Sequence, residues 1–172
     1  MKYLMLDLCS GLKTASAGMR SMGWEVVTVD IDPMFEPDFV ADVRTWSWSG
    51  RRPDLVWASP PCDEFAREFM PWSRTGKVPD LSIVEGCKRI IQECNPTYWV
   101  IENVRGAVKY LGTPRVIYYP FYLWGFFPDL GVLKLDHRKK ESYTSSKKAE
   151  RAKIPYGLSL AFSQAIGMQL CF

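Results

Sequence analysis

The sequence predicts an α/β fold, a mostly parallel sheet covered by helices on both faces. Two observations lead there. Short apolar, β-branched runs alternate with segments of helical spacing, which is the pattern of parallel strands joined by crossover helices. The polar residues of chemical interest (Asp7, Asp30, Asp42, Cys62 and Glu102) fall at or just after the carboxyl ends of those runs. In an open α/β sheet that is the edge where ligands bind.

Taken in order, "KYLMLDL" is a buried strand ending near Asp7, and the small-residue stretch "CSGLKTASAG" supplies a tight turn and a helix start. "WEVVTVDID" is a second strand ending in Asp30, "DFVADV" a shorter third carrying Asp42, and "PDLVWASPP" a fourth. From Leu81 to Cys94 the apolar residues Leu81, Val84, Cys87, Ile91 and Cys94 keep helical spacing, with Asp80 placed to cap the start. "TYWVIENV" is a fifth strand ending in Glu102. Beyond Arg105, residues 114–136 read as aromatic-rich strands with turns, 139–151 as a polar loop, and "GLSLAFSQAIG" as a closing helix.

With 172 residues, 47% hydrophobic and 24% charged, the chain suits a single domain with a real core. Its net charge of +3 is mild, but residues 137–153 collect Arg138, Lys139, Lys140, Lys147, Lys148, Arg151 and Lys153 against Glu141 and Glu150. Such a run can follow a phosphate backbone or can be solvated surface. The five cysteines are scattered and there is a single histidine, His137, so no zinc site is expected. The N-terminus lacks a signal-peptide pattern and no apolar run is long enough to span a membrane, which points to a reducing cytoplasm.

The first turn lacks GxGxxG, because Lys13 stands where a second glycine would, and this argues against a dinucleotide pyrophosphate. Asp30 is placed to accept from a ribose diol, and Asp42 to receive an exocyclic amino group. Acids along this edge suit an unphosphorylated cofactor, and S-adenosylmethionine, with ribose, adenine and a cationic sulfonium, fits. Alternatively, each acid does no more than cap a turn. Pro60 and Pro61 stiffen the exit from the fourth strand and hold Cys62 at the ligand edge. A thiol there becomes a nucleophile if positive charge or a helix dipole favours its thiolate, and Arg67 and Arg74 follow in the same loop. Glu102 emerges from a nearly all-apolar strand, a setting that raises a carboxyl pKa. A thiolate with a protonated acid opposite suits attack on an electron-poor heterocycle.

These residues resemble the cytosine-5 DNA methyltransferase family. "DLCSG" is similar to its first motif, "VDIDP" to its ribose-binding acid and adenine-packing neighbour, "ADV" to its third acid, "SPPCDEFAR" to its Pro-Cys nucleophile motif and "IENV" to its Glu-Asn-Val motif. The matches run in the family's order over residues 3 to about 105. The resemblance implies a Rossmann-like S-adenosylmethionine-dependent methyltransferase fold and DNA (cytosine-5-)-methyltransferase activity. On matching positions it implies that Cys62 attacks carbon 6 of cytosine while Glu102 bonds ring nitrogen 3 and the amino group. Asp7, Leu8, Cys9, Ser10 and Gly11 would line the cofactor, Asp30 hold its ribose, Ile31 pack on adenine, and Asp42 and Val43 meet the amino edge. Ser59 and Pro60 would complete the cofactor side. The segment from Asp63 to about Asp80 would close over a base flipped from the duplex.

Some features depart from the family pattern. Cys9 replaces an aromatic residue, and no Gln-x-Arg-x-Arg motif is present, leaving Arg138 in "DHRKK" as the nearest stand-in. Residues 106–172 form an abbreviated C-terminal part in which the basic segment 137–153 takes the place of a full target-recognition domain. This resembles a stripped-down form of the kind a phage or bacterium encodes. RNA as substrate, a degenerate binding protein without turnover and, more distantly, a thiol hydrolase remain alternatives, as does a homodimer or a partner that supplies specificity. Trp72 stands apart from the other aromatics because it lies in the presumed closing loop.

Overall fold

The computed structural model describes residues 2–133 and 152–170. Its strands are β1 (Leu4–Leu8), β2 (Glu25–Asp30), β3 (Phe39–Val40), β4 (Leu55–Ala58), β5 (Tyr98–Asn103), β6 (Val116–Tyr118) and β7 (Phe121–Phe126). They form one seven-stranded sheet in the order β3-β2-β1-β4-β5-β7-β6. The first five pair in parallel, and β7 runs antiparallel to both β5 and β6. The strand order reverses between β1 and β4, and the carboxyl edge at such a switch point is where open α/β sheets bind ligands. This is the Rossmann-like methyltransferase architecture that the sequence predicts.

Alternation along the strands divides the core into two layers. Leu6, Leu8, Val56, Ala58 and Ile101 face one side and pack on α3 (Ser82–Cys94) through Val84, Cys87, Ile90 and Ile91. Met5, Leu55, Trp57 and Val100 face the other side, which is covered by α1 (Ala17–Ser21) and the final helix, α5 (Tyr156–Leu170), through Met19, Leu158, Phe162 and Ile166. Helices therefore cover both faces, as predicted. The cap position of α3 is held by Leu81 and not by the expected Asp80, which sits one residue earlier and accepts from Ser82 N at 2.8 Å and from Ser82 Oγ at 2.9 Å, so it still satisfies the first amide of the helix. Asn95, in the left-handed region at φ 44°, ends it.

The expectation of a plain loop from Asp63 to Asp80 needs revision. Residues Asp63–Phe69 form α2, and a four-residue α4 (Val108–Leu111) follows β5. In "DEFAREF" the acids Asp63 and Glu64 occupy the first turn and Arg67 the last, the arrangement a helix dipole favours. The buried Phe65 anchors the turn to the core. Arg138, His137 and most of the basic segment 137–153 lie outside the described residues. Among the described residues, no helix is long and apolar enough to cross a membrane.

Candidate active site

The first turn is built on unusual backbone. Cys9, Gly11 and Lys13 all take left-handed φ, at 53°, 45° and 57°. Only glycine adopts such angles freely, so Lys13 holds the conformation that the absent second glycine would have supplied. Its ammonium group donates to the Glu36 carbonyl at 2.5 Å, tying the turn to the segment after β2. Asp30, at the tip of β2, accepts from Gly11 N at 2.8 Å and from Asp32 N at 2.9 Å. Each carboxylate oxygen therefore fixes one loop and keeps lone pairs for a further donor. Ile31 beside it is 63% exposed, an open apolar face at the ligand edge.

Asp7 is fully buried, and neither of its carboxylate oxygens has a hydrogen-bond partner among the described residues. The same is true of Ser10 Oγ in the turn above it. Burial pushes the Asp7 carboxyl up to about 7, partly offset by the nearby Ser16 hydroxyl and the charges of Arg20 and Lys13. Orphaned buried polar atoms are rare in folded proteins and point to a missing partner. Asp7, Ser10, Asp30 and Ile31 together thus fit a polar, cationic cofactor carrying an apolar ring, and S-adenosylmethionine answers that description.

Other expected cofactor residues behave differently. Cys9 turns its thiol toward Cys87 on α3, and that neighbour together with burial raises the Cys9 pKa well above its usual value. The Asp42 oxygens accept from Arg44 N and from its guanidinium at 2.6–3.0 Å, and these contacts hold the carboxyl below its ordinary range. An adenine amino group would have to share them. Val43 is buried, and its carbonyl accepts from Arg89 at 3.0 Å. Leu8 is buried and receives Ser59 N on its carbonyl at 3.1 Å, which extends the β1–β4 pairing toward the site.

Cys62 sits at the cap position of α2, half-buried and outside any disulfide. Its carbonyl accepts from Ala66 N at 2.8 Å, so the thiol side chain is carried on the first turn of a helix. Arg67 and Arg74, expected to supply charge to Cys62, have other partners. Arg67 pairs with Glu68 at 2.9 Å and Glu64 at 3.8 Å, and Arg74 donates to the Glu68 carbonyl at 2.9 Å.

The strand end that bears Glu102 and the turn that bears Cys62 are joined by a residue to which the sequence alone assigns no role. Asn103 is buried, donates from Nδ2 to the Pro60 carbonyl at 3.0 Å, and accepts from Val104 N at 2.9 Å. One amide thereby joins the end of β5 to the Pro-Pro-Cys turn. The signal was present in "IENV", where a buried amide beside a carboxyl needs partners of its own. Burial pushes Glu102 up to about 7, offset in part by the Ser59 hydroxyl. That hydroxyl also accepts from the Trp57 indole at 2.9 Å, which leaves its proton for Glu102. Ser59 therefore serves Glu102 in this geometry, and Pro60 serves Asn103.

The sheet order and this edge define a Rossmann-like methyltransferase fold. The chain is 38% identical over 68 residues to "Probable DNA (cytosine-5)-methyltransferase" of Frog virus 3 (isolate Goorha), a match covering 37% of this chain and 30% of that protein. The match spans less than a third of that protein's length. No protein-family model matches the chain. Solved structures with partial likeness include a candidate DNA modification methyltransferase encoded within an E. coli prophage, at TM-score 0.48 and 22% identity over 64% of this chain and 35% of that one. Another is S. pombe Dnmt2 methyltransferase, at TM-score 0.43 and 18% identity over 63% and 36%. A third is the glycopeptide N-methyltransferase MtfA in complex with S-adenosyl-L-methionine, at TM-score 0.42 and 14% identity over 73% and 59%.

Proposed function

We propose that this chain transfers a methyl group from S-adenosylmethionine to carbon 5 of cytosine in DNA through a covalent adduct on Cys62. The observation that carries the reading is the Asn103–Pro60 bond, which ties the Pro-Pro-Cys turn to the strand end bearing Glu102. One hydrogen bond thereby couples the turn that carries the nucleophile to the strand that carries the acid, which supports a fixed relation between the two.

The Cys62 sulfur forms a bond to ring carbon 6. Glu102, whose carboxyl keeps its proton up to about pH 7, gives that proton to ring nitrogen 3 and accepts from the exocyclic amino group. Electron density pushed into the ring then resides on carbon 5. The cofactor supplies an electrophilic methyl group on a sulfonium. Asp30 would hold its ribose, Ile31 its adenine, and Asp7 with Ser10 its polar end. Loss of the carbon 5 proton to a base restores the ring double bond as the carbon–sulfur bond breaks, Cys62 departs as the thiolate, and ring nitrogen 3 returns its proton to Glu102. Of the segment expected to close over the site, the part after α2, Met70 to about Asp80, would shed water from it. A duplex hides the ring, so the cytosine would be turned out of the stack.

Incubation with methyl-tritiated cofactor and cytosine-containing DNA should label carbon 5, and Cys62→Ala should reduce labelling to background. Transfer RNA run in parallel separates the two nucleic acids, since label on RNA alone would replace DNA as the substrate. Equal labelling by the wild-type chain and the Cys62→Ala variant would sink the covalent route.

A further inference from the structure

A groove of about 520 Å³ lies between the end of α2 and the helical segment 105–111, outside the residues assigned above. Phe69, Arg105, Gly106, Lys109, Ile117 and Tyr122 line it, and no lining residue is acidic. Gly106 makes the groove's floor possible. A Cβ there would lie 2.1 Å from the Phe65 carbonyl oxygen, so only glycine lets α2 approach this closely. Both walls continue directly into the site: α2 begins at Cys62, and Arg105 follows Glu102 by three positions.

The lining combines two features that seldom serve one another in a closed core. Arg105 and Lys109 are exposed, lie four residues apart on one helical segment, and have no carboxylate partner in any ion pair among the described residues. Beside them, Phe69 and Ile117 are 45% and 49% exposed, and the Arg105 guanidinium lies 5.1 Å from the Phe69 ring centroid. Uncompensated cations alongside an open aromatic face match a polymer that alternates phosphates with flat rings. An acidic peptide would satisfy the cations and leave the ring face without a partner.

We propose that this groove holds the DNA strand next to the Cys62 site, with Arg105 and Lys109 on successive phosphates and Phe69 as a stacking platform for a neighbouring base. The proposal rests on the DNA reading above and extends it, because it assigns strand binding to the catalytic core itself.

Binding of a fluorescein-labelled, cytosine-containing duplex, followed by anisotropy across a salt series, tests it with the full chain. The double variant Arg105→Gln/Lys109→Gln should lower the slope of log affinity against log salt by about 1.8, at ~0.9 for each phosphate no longer neutralised. Phe69→Ala should weaken binding about 10-fold while leaving that slope unchanged. Affinity for S-adenosylmethionine, read by calorimetry, should stay at the wild-type value in both, which shows that the variants are folded. Unchanged DNA binding in both, no DNA binding by the wild-type chain, or competition by polyglutamate equal to that of unlabelled DNA would each overturn the groove. Methyl transfer with unchanged DNA binding in the variants would reject the groove alone. Weakened DNA binding in the variants without methyl transfer by the wild-type chain would reject the chemistry and leave the groove standing.

Discussion

Asp7 is the residue whose surroundings differ most from its chemistry. A carboxyl sealed from water, without hydrogen-bond partners among the described residues, favours its neutral form and is raised from 3.8 to about 7. In the unfolded chain the same group ionises near 3.8, so between that value and about 7 the unfolded state binds fewer protons than the folded state. Stability from this group is therefore highest at low pH, falls as pH rises through that window, and levels off above it. Glu102, raised from 4.5 to about 7, acts in the same direction. Asp7→Asn should flatten the decline in thermal midpoint between about pH 5 and about pH 8, leaving the part due to Glu102. Thermal unfolding monitored at both pH values checks this, and an unchanged slope in the variant would show that Asp7 titrates normally. Asn103 makes the complementary point about buried polar groups. Its amide is engaged at both ends, the nitrogen on Pro60 and the oxygen on Val104, and so it can hold two segments in register.

Among the elements, α2 and the stretch after it behave as one unit organised by a single carboxylate. Glu68 accepts from Arg67 Nε at 2.9 Å, Thr75 N at 3.1 Å and Gly76 N at 2.9 Å, and also from the Thr75 hydroxyl. The Thr75 hydroxyl and Arg67 do most to hold its carboxyl down at about 2. Glu64 fixes the far end by accepting from Asp80 N at 2.6 Å. Between these tethers Trp72 is 81% exposed and Val78 76% exposed, apolar surface that the element leaves in water. Glu68→Ala should free the stretch from Met70 to Val78, and trypsin should then cut after Arg74 and Lys77 several-fold faster than in the wild-type chain. Cleavage rates followed by mass spectrometry decide it. Equal rates would show that the tether contributes nothing to the order of this stretch. All of the Glu68 bonds lie within the segment 67–76, so the effect belongs to local order.

At the scale of the whole molecule, the first turn and the last helix close on each other. Ser159 of α5 accepts from Gly18 N at 2.8 Å and donates to the Ala15 carbonyl at 2.5 Å. A Cβ at Gly18 would lie 2.3 Å from Leu160 N, so α1 and α5 meet backbone to backbone. Below them Phe162 packs against Trp57 at 4.9 Å and Phe127 at 5.0 Å between ring centroids. This packing covers the sheet face beneath Asp7 and Glu102 and keeps water from it. Gly18→Ala should push the helices apart and destabilise the fold by about 1–3 kcal/mol, the usual range for overpacking. A chemical denaturation midpoint measures the loss. Because Asp7 lies on the opened face, the variant should also show a lower Asp7 pKa by carbon-detected titration.

Strand positions, the two-faced helical cover and the placement of Cys62 and Glu102 at carboxyl ends of strands were legible in the sequence, because periodicity and strand-end position follow from local rules of backbone and side-chain alternation. The roles of Lys13 and Asn103 and the turning of Cys9 toward Cys87 were decided by tertiary structure. Each depends on which group happens to lie within hydrogen-bonding reach across tens of residues, as with Asn103 and Pro60 or Lys13 and Glu36. No local pattern encodes that distance; the packing of the sheet and its helices sets it.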